Sequence, residues 1–381
     1  MVKPITFLDL PAQQKRLGQR VQKRVEHVFQ HCRFVMGPEV TELEERLASY
    51  GGARHAIGVS SGTDALLMVL MAEGIGPGMA VFLPAFTYTA TAEVVLLLGA
   101  FPVFVDVDEG SFQISIASLT QRLSDVQQQG QYQPRAIIGV DLFGQPAPWE
   151  ELRAFAQKHD LLLFADCAQS FGASYQGHKL GHEALATTLS FFPSKPLGAY
   201  GDGGAVLTDD DDRAALYRSL RSHGEGKQRY DVQRIGLNAR LDTLQAAILL
   251  AKMEIFEEEL VRRAKIADLY DAGLPTGIKV PQRVPDSQSA WAIYCITLPT
   301  SQQRDSLQSY LREHAVPTAI YYPKPLHYQP AYQAQHDGVS LPVSESLGEC
   351  VLALPIHPDI SDEQGEQLLE IIQQWAENNQ L

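Results

Sequence analysis

The chain has 381 residues, of which 45% are hydrophobic and 20% charged, and its 31 basic against 45 acidic side chains leave a formal net charge of −14. This is the balance of a soluble globular protein too long for one ordinary core, and it argues against a broad basic face for nucleic acid or anionic lipid while allowing a local basic pocket. The four cysteines, Cys32, Cys167, Cys295 and Cys350, lie far apart with no CxxC pair and no metal-type histidine spacing beside them, so neither a disulfide framework nor a metal site is expected.

Residues 1–10 lack a basic-then-apolar leader pattern, and the most apolar stretch, 94–105, is cut by Gly99 and Pro102. That stretch is too short to span a bilayer, so the expectation is a cytoplasmic protein with no membrane partner.

In chain order, Val40, Leu43 and Leu47 recur at helical spacing over 40–50. An apolar run at 56–59 ends in Ser60-Ser61-Gly62-Thr63-Asp64, and a second run at 65–71 is long enough for a helix. The same strand–helix–strand alternation follows over 81–84, 88–98 and 103–106, and again over 136–140, 149–159 and 161–165. Near-continuous apolar strands separated by helices predict an α/β fold with a mostly parallel sheet covered on both faces. Residues 187–192 and 205–208 read as further strands of that sheet around the Gly/Pro-rich turn 193–204. The acidic run 209–212 suits the amino end of a helix over 213–222. Residues 241–270 predict two helices or one bent helix. After Gly273 prolines become frequent, and a short alternating strand at 291–298 precedes a helix at 302–315, which predicts a smaller α+β domain.

Four places in this frame carry chemistry. Lys195 sits in an apolar, Gly/Pro-rich stretch just past a predicted strand. A buried lysine needs a partner or a lowered pKa, and desolvation activates its amine for Schiff-base formation with an aldehyde; a structural lysine would look the same. Asp166 closes an apolar strand at the edge where open α/β sheets bind ligands, where it could face a protonated pyridine nitrogen or merely cap a helix. Gly62-Thr63-Asp64 joins a strand to a helix, which makes either an anion site or an ordinary cap. Tyr88 follows another strand and could stack on a flat ring or pack in the core. The order of the four along the chain, each at a strand end, is stronger than any one of them.

These residues resemble the DegT/StrS family of sugar-nucleotide aminotransferases over essentially the whole chain. The resemblance rests on Phe7-Leu8-Asp9-Leu10, Gly37-Pro38-Glu39-Val40, Gly62-Thr63-Asp64-Ala65-Leu66, Asp166-Cys167-Ala168-Gln169-Ser170-Phe171-Gly172-Ala173, Ser190-Phe191-Phe192-Pro193-Ser194-Lys195 and Leu354-Pro355-Ile356-His357-Pro358. It implies the fold-type I architecture of pyridoxal-phosphate (PLP) aminotransferases, with a large PLP-binding α/β domain over 1–253 and a small α+β domain over 254–381. Segments 192–204 and 238–246 are most similar to members that aminate C3 of a UDP-linked 3-keto N-acetylhexosamine uronic acid. Such an enzyme would take its amino group from L-glutamate, release 2-oxoglutarate and serve surface-polysaccharide synthesis. An aminotransferase acting at C3 or C4 of another dTDP-, UDP- or GDP-linked keto sugar is the alternative.

By the same resemblance Lys195 holds the cofactor as a Schiff base, Asp166 faces its ring nitrogen, Gln169 lies near its ring hydroxyl and Tyr88 stacks on it. Gly62, Thr63 and Ser190 hold the phosphate, and Asn238 reaches it from the neighbouring subunit of a homodimer with a shared active site. Arg240 suits an anionic substrate or an interface ion pair, and Tyr321 and Tyr322 lie on the substrate side. Two positions depart from the family pattern: Cys167 stands where alanine is usual and is expected only to pack, and Tyr321-Tyr322-Pro323 stands where many relatives have His-Tyr-Pro. Three other readings fare worse. Dehydratase relatives replace the lysine with histidine, a sensor without turnover would not need both Lys195 and Asp166, and Gly74-Ile75-Gly76-Pro77-Gly78 lacks the GxGxxG spacing of a nicotinamide site.

Overall fold

The computed structural model describes residues 4–228, 230–335 and 338–379. Among the described residues, twelve strands are formed: β1 (His55–Val59), β2 (Met79–Pro84), β3 (Phe101–Val105), β4 (Gln133–Val140), β5 (Leu162–Asp166), β6 (Ser174–Tyr175), β7 (His178–Lys179), β8 (Ala186–Ser190), β9 (Gly204–Thr208), β10 (Ser287–Gln288), β11 (Tyr294–Thr297) and β12 (Val351–Leu354). Seven of them make one sheet in the order β1-β9-β8-β5-β4-β2-β3. Its neighbours are parallel except at β9, which runs antiparallel to both β1 and β8. The physical reason is the connection. Parallel neighbours need a crossover, usually a helix, whereas β8 returns into β9 through the helix-free loop 191–203.

The continuous apolar strands are explained by burial on both faces. In β2, Ala80 and Phe82 pack into one core and Val81 and Leu83 into the other; β5 divides Leu163 and Ala165 from Phe164 in the same way. Helices Pro38–Gly51, Ile116–Gln129, Trp149–Lys158 and Thr243–Met253 cover the first face through Leu43, Leu119, Trp149 and Leu249. Helices Gly62–Ala72, Ala90–Leu97 and Asp211–Leu220 cover the second through Leu66, Val94 and Tyr217. A third core gathers Tyr294, Leu307, Leu311, Leu352, Leu368 and Trp375 from the antiparallel pair β11–β12 and helices Ser301–Glu313 and Asp362–Asn378.

Local signals set the helix starts. The Ser61 hydroxyl accepts the Asp64 N–H at 3.0 Å, and Asp210 accepts the Arg213 N–H at 2.9 Å, so the acidic run does cap its helix. Ser361 and Gln364 form a reciprocal capping box. The stretch expected to be helical over 241–270 is two helices, Thr243–Met253 and Phe256–Gly273, broken at Ile255 with φ −117° and ψ 4°. The strand expected at 291–298 is only Tyr294–Thr297, and it does not alternate: all four residues are buried, Tyr294 and Ile296 in the third core and Cys295 in the core on the second face of the large sheet. Among the described residues, no helix is long and apolar enough to cross a membrane.

The two ends of the described chain meet at His357, whose Nε2 lies 3.0 Å from the Thr6 carbonyl oxygen. Burial pulls its pKa from 6.5 down to about 4, against the opposing pull of the Thr6 hydrogen bond. The neutral ring is thus favoured in the folded state, so stability is full above pH 6.5 and is lost as pH falls toward 4. At 1.36 kcal/mol per unit this amounts to about 3 kcal/mol. Urea unfolding across pH 4–7 is expected to show that loss, and His357→Gln to flatten it.

Candidate active site

Because the sheet is mostly parallel, the carboxyl ends of β1, β2, β4, β5 and β8 share one edge, and the amino end of β9 lies there too. This is the edge where open α/β sheets bind ligands. It opens into a cavity of about 630 Å³. Gly62, Thr63, Tyr88, Asp166, Gln169, Ser190, Lys195, Tyr321 and Tyr322 all line it. The segments that carry them are far apart in sequence, and the strand ends bring most of them together.

Lys195 stands in the loop after β8, with its N–H donated to the Phe192 carbonyl at 2.8 Å. Burial holds its amine below the usual lysine pKa, and the charge of Asp166 pulls it partly back. Asp166 ends β5 and is 6% exposed. Burial raises its pKa, while the Ala168 N–H at 3.2 Å, the Thr91 hydroxyl at 3.0 Å and the charge of Lys195 favour the carboxylate. A cationic ring nitrogen against this carboxylate would reverse the effect of burial.

The helix Gly62–Ala72 points its amino end at the same cavity. The first N–H groups of a helix have no partner within it, which favours an anion there. Close packing requires glycine at its first position: a Cβ on Gly62 would lie 2.7 Å from the Ser190 Cβ. Gln169 is fixed at both ends, its Oε1 accepting the Phe143 N–H at 2.7 Å and its Nε2 donating to the Tyr322 hydroxyl at 3.2 Å. Tyr88 is 57% exposed, and its ring centre lies 6.4 Å from that of half-buried Tyr322. These groups fit PLP: an amine for its aldehyde, a carboxylate for its ring nitrogen, an aromatic wall and an anion site for its phosphate.

Asn238 and Arg240 do not line this cavity. Asn238 is exposed and bridges to Ser222, and Arg240 is half-buried and bridges to Val59 at the end of β1. Cys167 packs in the first core as expected, and its thiol in addition donates to the buried Asp141 Oδ2 at 3.0 Å. The wall also includes Ser61, Thr87, Asp202, Ile293 and Ile320, and Thr91 supports Asp166 from behind. Sequence reasoning missed all of these. Only Thr91 had a signal, as a hydroxyl in the first turn of a helix that follows a strand end.

The sequence reading also passed over a His/His/Glu group. Among the described residues, His27, His31 and Glu39 have ligand-type atoms within 4.8 Å of one another. His31 Nδ1 accepts the Arg33 N–H at 3.1 Å, so in the neutral ring Nε2 carries the proton and donates it to Glu39 at 3.0 Å. The cluster is a closed hydrogen-bonded group at that nitrogen rather than an open ligand set.

An amine of lowered proton affinity and a buried carboxylate, lining one cavity that also receives a helix amino end, suit the chemistry of PLP, and the fold is that of PLP-dependent aminotransferases. The chain belongs to the DegT/DnrJ/EryC1/StrS aminotransferase family, whose pattern matches residues 15–373. It is 44% identical over 93% of its length, and 95% of the relative's, to the UDP-2-acetamido-2-deoxy-3-oxo-D-glucuronate aminotransferase of Pseudomonas aeruginosa. The crystal structure of a Brucella abortus aminotransferase of the family superposes with a TM-score of 0.94 at 43% identity, covering 97% of this chain and 99% of that one. S. venezuelae DesV, solved with a ketimine intermediate, superposes with a TM-score of 0.93 at 34% identity, covering 99% of both chains.

The contact at Gly62 makes a sharp expectation. Gly62→Ala would push against Ser190 and displace the helix amino end, at a cost of about 1–3 kcal/mol. Spectroscopic titration of the cofactor-free protein with PLP is expected to show binding weakened roughly tenfold or more.

Proposed function

We propose that the protein transfers the amino group of L-glutamate to C3 of UDP-2-acetamido-2-deoxy-3-keto-glucuronic acid, in the cytoplasm, as a step toward a surface polysaccharide such as O-antigen. The near full-length likeness to the Pseudomonas aeruginosa enzyme carries the choice of sugar. The convergence of Lys195 and Asp166 on one cavity supports the chemistry.

When bound, PLP supplies an electron sink for the carbon that loses or gains a proton. Lys195 would anchor the cofactor, and its amine, once displaced by the incoming amino group and with its proton affinity lowered by burial, would take the proton from the donor carbon and return it at the other end of the transfer. Asp166 keeps the ring nitrogen protonated, Gln169 bonds the ring hydroxyl, and Tyr88 covers the ring. Gly62, Thr63 and Ser190 bind the phosphate.

The partner's Asn238 completes that site in a homodimer. Its exposure, beside a surface that also presents Phe29, Phe34, Val35, Val232 and Ile235, supports this reading, since apolar side chains so placed mark a surface that another protein covers. Arg240 would act at the same interface toward the anionic substrate, while Tyr321 and Tyr322 face the sugar from the cavity wall. The break at Ile255 supports a division into domains over 1–253 and 254–381.

The test combines a spectrum with a product assay. The purified protein is expected to show visible absorbance from bound PLP, to lose it on addition of glutamate, and to convert the 3-keto uronic acid, generated in situ, into a 3-amino product seen by mass spectrometry. Conversion of only 4-keto or neutral sugars would move the substrate assignment, and a protein that cannot be loaded with PLP would overturn the reading. Lys195→Ala is expected to abolish both half-reactions. Asp166→Ala is expected to slow turnover about a hundred- to a thousandfold, the scale of losing one preorganised electrostatic partner.

A further inference from the structure

Asp141 follows β4 directly and is fully buried, yet none of the cofactor contacts proposed above uses it. Its two carboxylate oxygens divide their work. Oδ1 accepts the Ala147 N–H at 2.7 Å and the Trp149 indole N–H at 2.9 Å, both at the start of helix Trp149–Lys158, where Trp149 is itself fully buried. Oδ2 accepts the Cys167 thiol at 3.0 Å and the Ser170 hydroxyl at 2.7 Å. One carboxylate therefore ties a rigid helix start to the turn that runs from Asp166 through Gln169.

The same segment grips that turn twice more. The Asp141 N–H donates to the Asp166 carbonyl at 3.0 Å. Phe143 sits in the left-handed region at φ 61°, where a non-glycine residue is strained, and in that conformation its N–H meets Gln169 Oε1 at 2.7 Å. Burial pushes the Asp141 pKa up to about 6, against the Cys167, Ser170 and Ala147 donors. The indole and backbone N–H groups can only donate, so the arrangement is built for an acceptor.

We propose that Asp141 is a positioning residue: its carboxylate clamps the Asp166–Gln169 turn from outside the cavity and sets the angle at which Asp166 and Gln169 meet the cofactor ring. This rests on the reading of those two residues as ring contacts. It gives Cys167 a function, as the thiol half of the clamp.

The clamp can be cut from either side. Asp141→Ala removes it entirely, and the double variant Cys167→Ala/Ser170→Ala frees only the turn, leaving Asp141 bonded to Ala147 and Trp149. Asp141→Asn keeps an acceptor for the two N–H donors, and the Ser170 hydroxyl can rotate to accept from the new amide. In the holoenzyme, Asp141→Ala and the double variant are expected to lose about ten- to a hundredfold in kcat, the usual scale for an outer partner of a functional group, with little change in KM for the sugar nucleotide. The pH midpoint of the bound cofactor's visible band should shift, and amides of residues 168–170 should exchange faster while those of helix Trp149–Lys158 do not. Asp141→Asn should recover most of each property.

Wild-type kcat, band midpoint and exchange in both Asp141→Ala and the double variant would overturn the proposal. So would an Asp141→Asn variant as impaired as Asp141→Ala with unchanged exchange in the turn. If Asp141→Ala does not fold, the double variant decides. Exchange measured on cofactor-free protein reports the clamp even where the PLP reading itself fails.

Discussion

The placing of an amine and a carboxylate, both largely withdrawn from solvent, on one cavity is the constraint on which the site depends. Desolvation drives Lys195 and Asp166 toward their neutral forms, and each charge partly restores the other. Alone, either would be a costly buried group. Together they are poised: a lysine amine with lowered proton affinity can attack a carbonyl or carry a proton, and a carboxylate short of solvent will bind a cationic ring nitrogen tightly. The surrounding structure brings that pair together and fixes its backbone.

The sheet does the first part of this. Parallel strands buried on both faces put their carboxyl ends on one edge, and the strand ends and the segments that follow them carry Gly62, Tyr88, Asp166 and Lys195. Side chains from beyond the large sheet close the cavity, with Ile293, Ile320, Tyr321 and Tyr322 forming the opposite wall. Two consecutive tyrosines there have different surroundings. Tyr322 is half-buried, packs against Phe86 and Phe143 and is bonded to Gln169, which fixes it in the cavity wall. Tyr321 is half-buried and its ring lies 6.3 Å from that of Phe7.

What could be read from the sequence follows from the same physics. The strands at 81–84, 136–140 and 161–165 were legible because two-sided burial leaves an unbroken apolar run, and the residues at their ends followed from that. The reversed direction of β9 was not legible, since Ala205, Val206 and Leu207 look the same in either direction and only the helix-free return from β8 decides it. Helices Leu10–Leu17 and Arg20–His31 bury only Leu17, Val21 and Val28, too few to set a period. The two-residue strands β6, β7 and β10 are shorter than any period. Asp141 touches the site only through the turn after Asp166, and a contact at one remove leaves no spacing pattern in the chain.

Cys167 shows how a departure from a family pattern acquires meaning only in three dimensions. Beside Asp166 in sequence, it reads as a small residue that fills space. In the fold, successive residues at a strand end point in opposite directions, so as Asp166 turns toward the cavity Cys167 turns away from it and finds the Asp141 carboxylate. Alanine at that position would leave Oδ2 with the Ser170 hydroxyl alone, and the rest of the clamp would stand. The thiol is therefore an addition to an arrangement that Ser170, Trp149 and the Ala147 N–H already define, and its weak hydrogen bond adds little energy. Its consequence is geometric: it adds one more point of attachment to a turn already held through the Asp166 carbonyl, Gln169 and Ser170.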